Sequence, residues 1–178
     1  MKRTLILIAI VVVTLQTTMA QTTKEANPAD VSTLDGIMKA VYDVISGDVG
    51  KARDWDRFRT LFAEKARLIP TGKNAQTGVI SARVLSPDEY IARAEPFLVK
   101  EGFFEREVAR RTEQYGNIVH VFSTSESKHT ADDKMPFARG INSFQLYNDG
   151  KRWWVLTIFW QSETPDNPIP KQYLTTKN

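Results

Sequence analysis

The chain has 178 residues, of which 24 are basic and 21 acidic, and it contains no cysteine. The absence of cysteine excludes disulfide bonds and a thiol nucleophile, so stability must come from packing. Two of the basic residues lie in a predicted signal peptide of 20 residues, and the remaining 158 residues carry a net charge of only +1. A near-neutral chain of this size predicts one core and gives no electrostatic reason to expect nucleic acid as a partner.

The first twenty residues have the pattern of a signal peptide. Lys2 and Arg3 precede an apolar run over residues 5–15, and Ala20 is the small residue expected before a cleavage site. The alternative is an uncleaved membrane anchor, but this run of about eleven apolar residues is shorter than the roughly 20 that span a bilayer. We therefore predict cleavage after Ala20, a periplasmic or secreted protein, and no stable membrane insertion after processing.

Three helices are predicted in the first half of the processed chain. Residues 21–30 are polar and are interpreted as a flexible leader, whereas the apolar residues of 31–45 fall on one helical stripe. Asp54 is a suitable N-cap for a short helix with an aromatic face. Ser86 and Glu89 have the spacing of a capping box, which predicts the start of the third helix.

Strands are predicted to surround and follow this third helix. Two short strands precede it, and two long antiparallel hairpins follow it, with turns at residues 115–117 and 149–150 where glycine tolerates positive φ. The three prolines of the tail, residues 165–178, are predicted to end the regular structure. Helices followed by antiparallel strands predict an α+β domain over residues 31–164, with the helices on one face of a curved sheet.

Several segments resemble the nuclear transport factor 2-like superfamily, which includes ketosteroid isomerase-like and polyketide cyclase-like proteins. They are LFAEKARLIP after the short helix, the capped third helix, and the closing strand DGKRWWVLTIFW. The resemblance covers residues 31–161 and implies a cystatin-like cone, in which three helices pack on a strongly curved, mainly antiparallel sheet around a pocket. RGINSFQL and NPIPKQYL most resemble an exported bacterial branch of this superfamily.

One position departs from the ketosteroid isomerase-like pattern. Those relatives have a general-base aspartate immediately before the proline that follows the first strand, whereas this chain has Ile69 before Pro70. The resemblance therefore does not imply an isomerase base at this position.

The register of the last hairpin determines which of its residues face the pocket. A turn at residues 149–150 sets Phe144 opposite Val155 and Asn142 opposite Thr157. The polar groups on this face suit a small-molecule site, although they also fit buried groups that satisfy one another. A register shifted by one residue would place Arg139, Ser143 and Trp160 inside instead. The predicted ligand-binding residues are Asn142, Thr157, Gln161 and Phe159 in the hairpin and Tyr42 and Trp55 in the helices.

Both faces of the last hairpin are largely apolar, so one must cover the core while the other meets a second layer or a partner subunit. Under the preferred register, Arg139 and Trp160 lie together on the outer face. A cation–π or stacking contact between them would suit the anchor of a homodimer interface. We therefore predict a homodimer.

The other hairpin carries the candidate catalytic residues. Its turn is predicted to place Glu107 opposite Glu126 and Glu113 opposite His120. When two carboxyl groups face each other, their surroundings can give them different pKa values, so that one acts as an acid and the other as a base. The candidates are therefore Glu107, Glu126 and His120. The alternating charges of the strand fit a solvated face with ion pairs equally well. His120 and His129 fall on opposite faces of any continuous strand, so neither a metal site nor a cofactor is predicted.

Two functions fit these sequence features. In the first, the exported domain binds a small apolar ligand in the cone or acts as a homodimeric interaction module. In the second, it is a cofactor-free lyase, isomerase or hydrolase that acts on a small cyclic or carbonyl compound. Fold-level resemblance does not choose between them, because this superfamily hosts both enzymes and binding modules.

Overall fold

A computed structural model describes residues 25–175 of the chain. The predicted signal peptide, the first four residues of the predicted leader and the last three residues of the tail lie outside the described residues. Within 25–175, the elements in chain order are α1 Pro28–Val31, α2 Leu34–Ile45, α3 Trp55–Thr60, β1 Phe62–Lys73, β2 Ile80–Ala82, α4 Pro87–Glu101, β3 Phe104–Tyr115, β4 Ile118–Lys128, β5 Ala138–Asn148, β6 Trp153–Ser162 and a 3₁₀ helix Lys171–Tyr173.

The structure corrects two boundaries near the start of the domain. Residues 28–30, predicted as leader, belong to α1, because Asn27 caps this turn. The turn is held to α3 by the buried Asp30 carboxylate, which accepts two hydrogen bonds from the Arg57 guanidinium at 2.7 and 2.8 Å. The stripe predicted as one helix is divided at Thr33. The Thr33 side chain accepts a hydrogen bond from the Gly36 amide and so begins α2.

The predicted starts of the other two helices are confirmed. Asp54 caps α3, since its Oδ1 accepts a hydrogen bond from the Arg57 amide at 2.8 Å. Ser86 and Glu89 form the capping box of α4, in which each side chain accepts a hydrogen bond from the backbone amide of the other residue. These caps fix where α3 and α4 cross the sheet, and so where their side chains enter the interior.

The six strands form one sheet in the order β2-β1-β6-β5-β4-β3. Both long hairpins are confirmed as antiparallel pairs, β3 with β4 and β5 with β6. The first strand is longer than predicted and pairs in parallel with the last strand, while the second strand is shorter than predicted. Strand β6 therefore lies inside the sheet, and its inward side chains lie between β1 and β5.

The helices cover one face of the sheet, the inner face, and the core lies between them. Helix α2 contributes seven buried side chains, since its apolar stripe faces the sheet. The largest fully buried residues come from both layers and are Phe58, Phe144, Ile37, Met38, Leu61, Val119, Val121 and Val155. Within the described range, no helix is long and apolar enough to cross a membrane.

The proline-rich tail lies against the opposite, outer face of the sheet. Ile169 is buried, the Tyr173 ring packs edge-on against Phe122 at a centroid distance of 5.0 Å, and the Tyr173 carbonyl accepts a hydrogen bond from Thr124 Oγ1 at 2.6 Å. The tail thus covers part of a face that would otherwise be apolar and exposed.

Candidate ligand-binding site

A β-bulge in β6 decides which side chains of the last hairpin face the helices. The pairing shifts by one residue beside Leu156, so Leu146 lies opposite Val155 but Phe144 lies opposite Ile158. The predicted register, which set Phe144 opposite Val155, is therefore wrong. Because a shift of one residue exchanges the two faces of a strand, the segment of β6 after the bulge turns Trp160 inward, opposite Asn142.

A cavity of about 240 Å³ lies between the helices and the inner face of the sheet. Its polar groups come mainly from Tyr42 on α2, Glu105 on β3, Ser125 on β4 and Asn142 on β5. An apolar wall with a few convergent polar groups is the usual composition of a small-molecule site. The aromatic side chains of the wall are Phe58, Tyr90, Phe103, Phe137, Phe144 and Trp160.

Asn142 is the centre of the polar end of the cavity. Its Nδ2 atom lies 3.1 Å from the Tyr42 hydroxyl, 3.2 Å from Ser125 Oγ and 3.3 Å from Glu105 Oε1. An amide group carries only two N–H bonds, so these three acceptors share two hydrogens. Asn142 therefore links a helix and two strands, which fixes the positions of the hydroxyl and carboxyl groups around the cavity.

One branch of this network runs from Tyr42 to an ion pair. The Tyr42 hydroxyl lies 2.8 Å from Ser123 Oγ, and Ser123 donates in turn to Glu107. Glu107 also accepts a hydrogen bond from Arg110 Nε at 2.6 Å, and Arg110 Nη1 donates to Asp35 on α2 at 2.7 Å. The charge of Glu107 is thus neutralised within the protein, and this branch holds α2 against β3.

The second branch ends at Glu105, which has no such counter-ion in the described part of the chain. Its Oε1 accepts hydrogen bonds from Ser125 Oγ at 2.6 Å and from Asn142. Within residues 25–175, its Oε2 has no hydrogen-bonding partner, and the residue borders the cavity. Burial raises the pKa of the Glu105 carboxyl, and the hydrogen bonds from Ser125 and Asn142 only partly oppose this.

Two phenols lie near this carboxyl, the buried Tyr42 and the half-buried Tyr90. The pKa of Tyr42 and that of Tyr90 are both raised, mainly by burial and secondly by the negative charge of Glu105. Both hydroxyls therefore stay protonated and are hydrogen-bond donors at neutral pH. Tyr42 is engaged in the network, whereas the Tyr90 hydroxyl has no partner within the described part of the chain and borders the cavity.

Two solved structures resemble this arrangement of elements. A nuclear transport factor 2-like protein of unknown function from Silicibacter pomeroyi DSS-3 matches with a TM-score of 0.50 at 14% identity, over 74% of this chain and 94% of that one. A protein of unknown function with a cystatin-like fold from Nostoc punctiforme PCC 73102 matches with a TM-score of 0.53 at 10% identity, over 83% of this chain and 100% of that one. The chain has the nuclear transport factor 2-like fold. No protein-family model matches the sequence, and neither does any curated protein.

Only some of the predicted ligand-binding residues lie at the cavity. Tyr42 and Asn142 lie together at the polar end of the cavity, and Gln161 lies at its exposed rim. The bulge turns Thr157 and Phe159 to the outer face, opposite Gln145 and Ser143. Trp55 lies outside the cavity wall, where its indole N–H donates to Glu95 on α4 at 2.7 Å.

The three predicted catalytic residues do not come together. The pairing of β3 and β4 shifts at Val108, which places Glu107 opposite Ser125 on the inner face, whereas Glu126 pairs with Arg106 on the outer face. Glu107 and Glu126 therefore cannot act as facing carboxylates.

His120 also lies on the outer face. It is opposite Glu113, as predicted, and its Nε2 atom lies 3.0 Å from Ser143 Oγ. It is therefore remote from the cavity, which is on the other side of the sheet. Within residues 25–175, no three His, Asp or Glu side chains are grouped so that they could hold a metal ion.

The bulge in β6 also places the two residues of the predicted dimer anchor, Arg139 and Trp160, on opposite faces of the sheet. Arg139 remains on the outer face, where its Nε and Nη2 atoms donate to the Glu163 carboxylate at 2.8 and 3.0 Å. Trp160 faces inward and packs edge-on against Tyr90, with 6.2 Å between ring centroids. The expected stacking of these two residues is wrong, and homodimerisation stays a prediction without this anchor.

Sequence reasoning did not select Glu105, Ser125 or Tyr90 as site residues. A signal for two of them was present in β4, where Ser123, Ser125 and Ser127 alternate and so fall on one face. Small hydroxyl residues at alternate positions leave space and supply donors. The carboxylates opposite them on β3 are therefore better candidates than the ones opposite charged residues.

Proposed function

We propose that this protein is exported and binds a small, mostly apolar ligand in the cavity of the cone. The observation that carries this proposal is the convergence of Tyr42, Glu105, Ser125 and Asn142 at one end of a largely apolar cavity. One carboxyl oxygen of Glu105 and the hydroxyl of Tyr90 have no hydrogen-bonding partner within residues 25–175, and both residues border the cavity, so both groups are available to a ligand.

The size of the cavity limits the ligand. Small-molecule sites usually measure roughly 300–1,000 Å³, and this cavity is slightly smaller at about 240 Å³. A ligand with one ring, or a short branched chain, and one polar group fits this volume. Its ring would lie among Tyr90, Phe144 and Trp160, and its polar group would reach Glu105.

Ligand binding can be tested with benzyl alcohol and two tryptophan reporters. We expect the compound to shift the indole N–H resonance of Trp160, which faces the cavity, and to leave that of Trp154 unchanged, because Trp154 donates to Asp149 outside the cavity. Filling the cavity in Ala138→Phe should abolish the shift, whereas Thr157→Phe on the outer face should keep it. Equal shifts at both tryptophans, or a shift that survives Ala138→Phe, would count against the site.

Export is supported by the signal-peptide pattern of residues 1–20. The intact mass of the protein purified from its own host tests this part of the proposal. We expect a chain that begins at Gln21, and a chain that retains the first twenty residues would contradict export with cleavage.

A second candidate function is cofactor-free acid–base catalysis on a small cyclic or carbonyl compound. The observation that favours it is the Glu105 carboxyl, which borders the cavity and whose pKa burial raises towards the range of a general base. Cyclohexanone in heavy water is a direct probe, because removal of an α-proton by Glu105 would replace it with deuterium. We expect faster exchange with the wild-type protein than with Glu105→Gln, and equal rates would remove this role.

A further inference from the structure

Glu105 is an acid whose hydrogen-bonding partners are all uncharged. Ser125 and Asn142 donate to its Oε1, and Tyr42 and Tyr90 are the phenols near it. Glu105 is partly buried, and a carboxylate that loses much of its hydration is stabilised by a proton or a cation, because neutral donors repay that loss incompletely. Burial raises the pKa of the Glu105 carboxyl, which is consistent with this need.

The nearby arginines are already neutralised by other acids. Arg139 borders the cavity, but its guanidinium binds the Glu163 carboxylate with two hydrogen bonds. Arg110 is shared between Glu107 and Asp35. Within the described residues, Glu105 therefore has no cationic partner, and the polar end of the cavity carries uncompensated negative charge when this carboxyl ionises.

The aromatic rings in the cavity wall also favour the binding of a cation. Tyr90, Phe103, Phe137 and Trp160 border the same space as the Glu105 carboxyl. The faces of aromatic rings attract ammonium groups, and this attraction is strongest where water is excluded. A ligand with an ammonium group would supply the missing counter-ion and gain from these rings, whereas a neutral ligand would gain only from burial of its apolar part.

We infer that the cone cavity selects small organic cations, namely single-ring or short-chain amines in their ammonium form, with Glu105 Oε2 as the counter-ion. This inference rests on the proposed function, since it names the chemical class of ligand for the same cavity. It also gives the uncompensated acid a role that packing alone does not explain.

The test compares benzylamine, which is protonated at pH 7, with benzyl alcohol, which has nearly the same shape. Affinities are measured from the shift of the Trp160 indole resonance in the wild-type protein and in Glu105→Gln. We expect benzylamine to bind about tenfold more tightly than benzyl alcohol in the wild-type protein, as a charge-assisted hydrogen bond would give. In Glu105→Gln this preference should disappear while benzyl alcohol still binds.

The outcomes separate the inference from the proposed function. If benzyl alcohol binds and benzylamine is no tighter, the cavity is a ligand site but the selection of cations is wrong. If neither compound affects Trp160, both proposals fail. A preference that persists in Glu105→Gln would also overturn the inference, because the charge would then come from elsewhere.

A measurement on the wild-type protein covers the case in which Glu105→Gln does not fold. Lowering the pH protonates Glu105 while benzylamine stays charged. We expect the affinity for benzylamine to fall as the pH decreases through the raised pKa of Glu105, and the affinity for benzyl alcohol to stay constant. Parallel behaviour of the two compounds would contradict the role of this carboxylate.

Discussion

Glu105 and Glu107 lie two residues apart on the inner face of the same strand, yet their surroundings differ. Each accepts a hydrogen bond from a serine of the neighbouring strand, Ser125 and Ser123 respectively. Glu107 is also paired with Arg110, and each of these two side chains is only 17% exposed. Among residues 25–175, Glu105 has no cationic partner, and it borders the cavity. Charge compensation, rather than position on the sheet, therefore distinguishes the structural carboxylate from the one available to a ligand.

The bulge at Val108 explains part of this difference. It shifts the pairing of β3 with β4, so that Arg110, three residues after Glu107, is on the same face and reaches both Glu107 and Asp35 on α2. No corresponding arginine lies beside Glu105 in the part of the chain that the structure describes. Tyr42 joins the two regions, because its hydroxyl contacts Ser123 on the Glu107 side and Asn142 on the Glu105 side.

The largest effect is expected from removing the counter-ion of Glu107. Arg110→Met leaves a mostly buried carboxylate without its partner, and loss of one member of a buried ion pair costs about 3 kcal/mol or more. We expect the free energy of unfolding in urea to fall by about this amount. In this variant Glu107, like Glu105, would lack an arginine as counter-ion among residues 25–175.

Arg59→Met on α3 is the control at an exposed ion pair. The Arg59 side chain is 47% exposed and its partners Asp56 and Asp88 are 72% and 73% exposed, so its loss should cost less than about 1 kcal/mol. Equal losses for the two variants would show that Arg110 has no special role in neutralising Glu107.

A smaller effect is expected from separating the two regions at Tyr42. Tyr42→Phe removes the hydroxyl that accepts from Asn142 and lies against Ser123, and such a loss inside a protein costs about 1–2 kcal/mol. Tyr115→Phe, at a site that is 85% exposed, should leave stability unchanged. If Tyr42→Phe were as stable as wild type in urea unfolding, the network would not connect the two regions energetically.

Much of the fold followed from local sequence features. The glycine turns predicted both long hairpins, and the Ser86–Glu89 capping box predicted the start of α4, because these residues adopt few other conformations. The parallel pairing of β1 with β6 was not predicted. It joins segments far apart in the chain, and its strength depends on packing that no local pattern reports.

The site was less predictable than the fold because two bulges control it. The extra residues at Val108 and Leu156 exchange the faces of the segments beyond them, and neither position carries a glycine or proline that would indicate a bulge. Asn142 and Tyr42 lie at the cavity, since neither position depends on the bulge in β6, and their binding of a ligand stays a prediction. Thr157 and Phe159 were misplaced by that bulge.

The most direct test of the account is the difference in stability between Glu105→Gln and the wild-type protein as a function of pH. Below the ordinary Glu pKa of 4.5, Glu105 is protonated in both the folded and unfolded states, so the difference should not vary. Above pH 4.5 the unfolded chain ionises first, because burial raises the pKa of Glu105 in the folded state, and the wild-type protein loses stability until the folded pKa is passed. The glutamine side chain of the variant does not titrate.

We therefore predict that the variant gains stability relative to wild type as the pH rises above 4.5, and that the gain becomes constant at higher pH. A difference that stays flat across this range, or one that changes in favour of the wild-type protein, would contradict the claim that Glu105 is a partly buried carboxyl without a counter-ion in the described part of the chain.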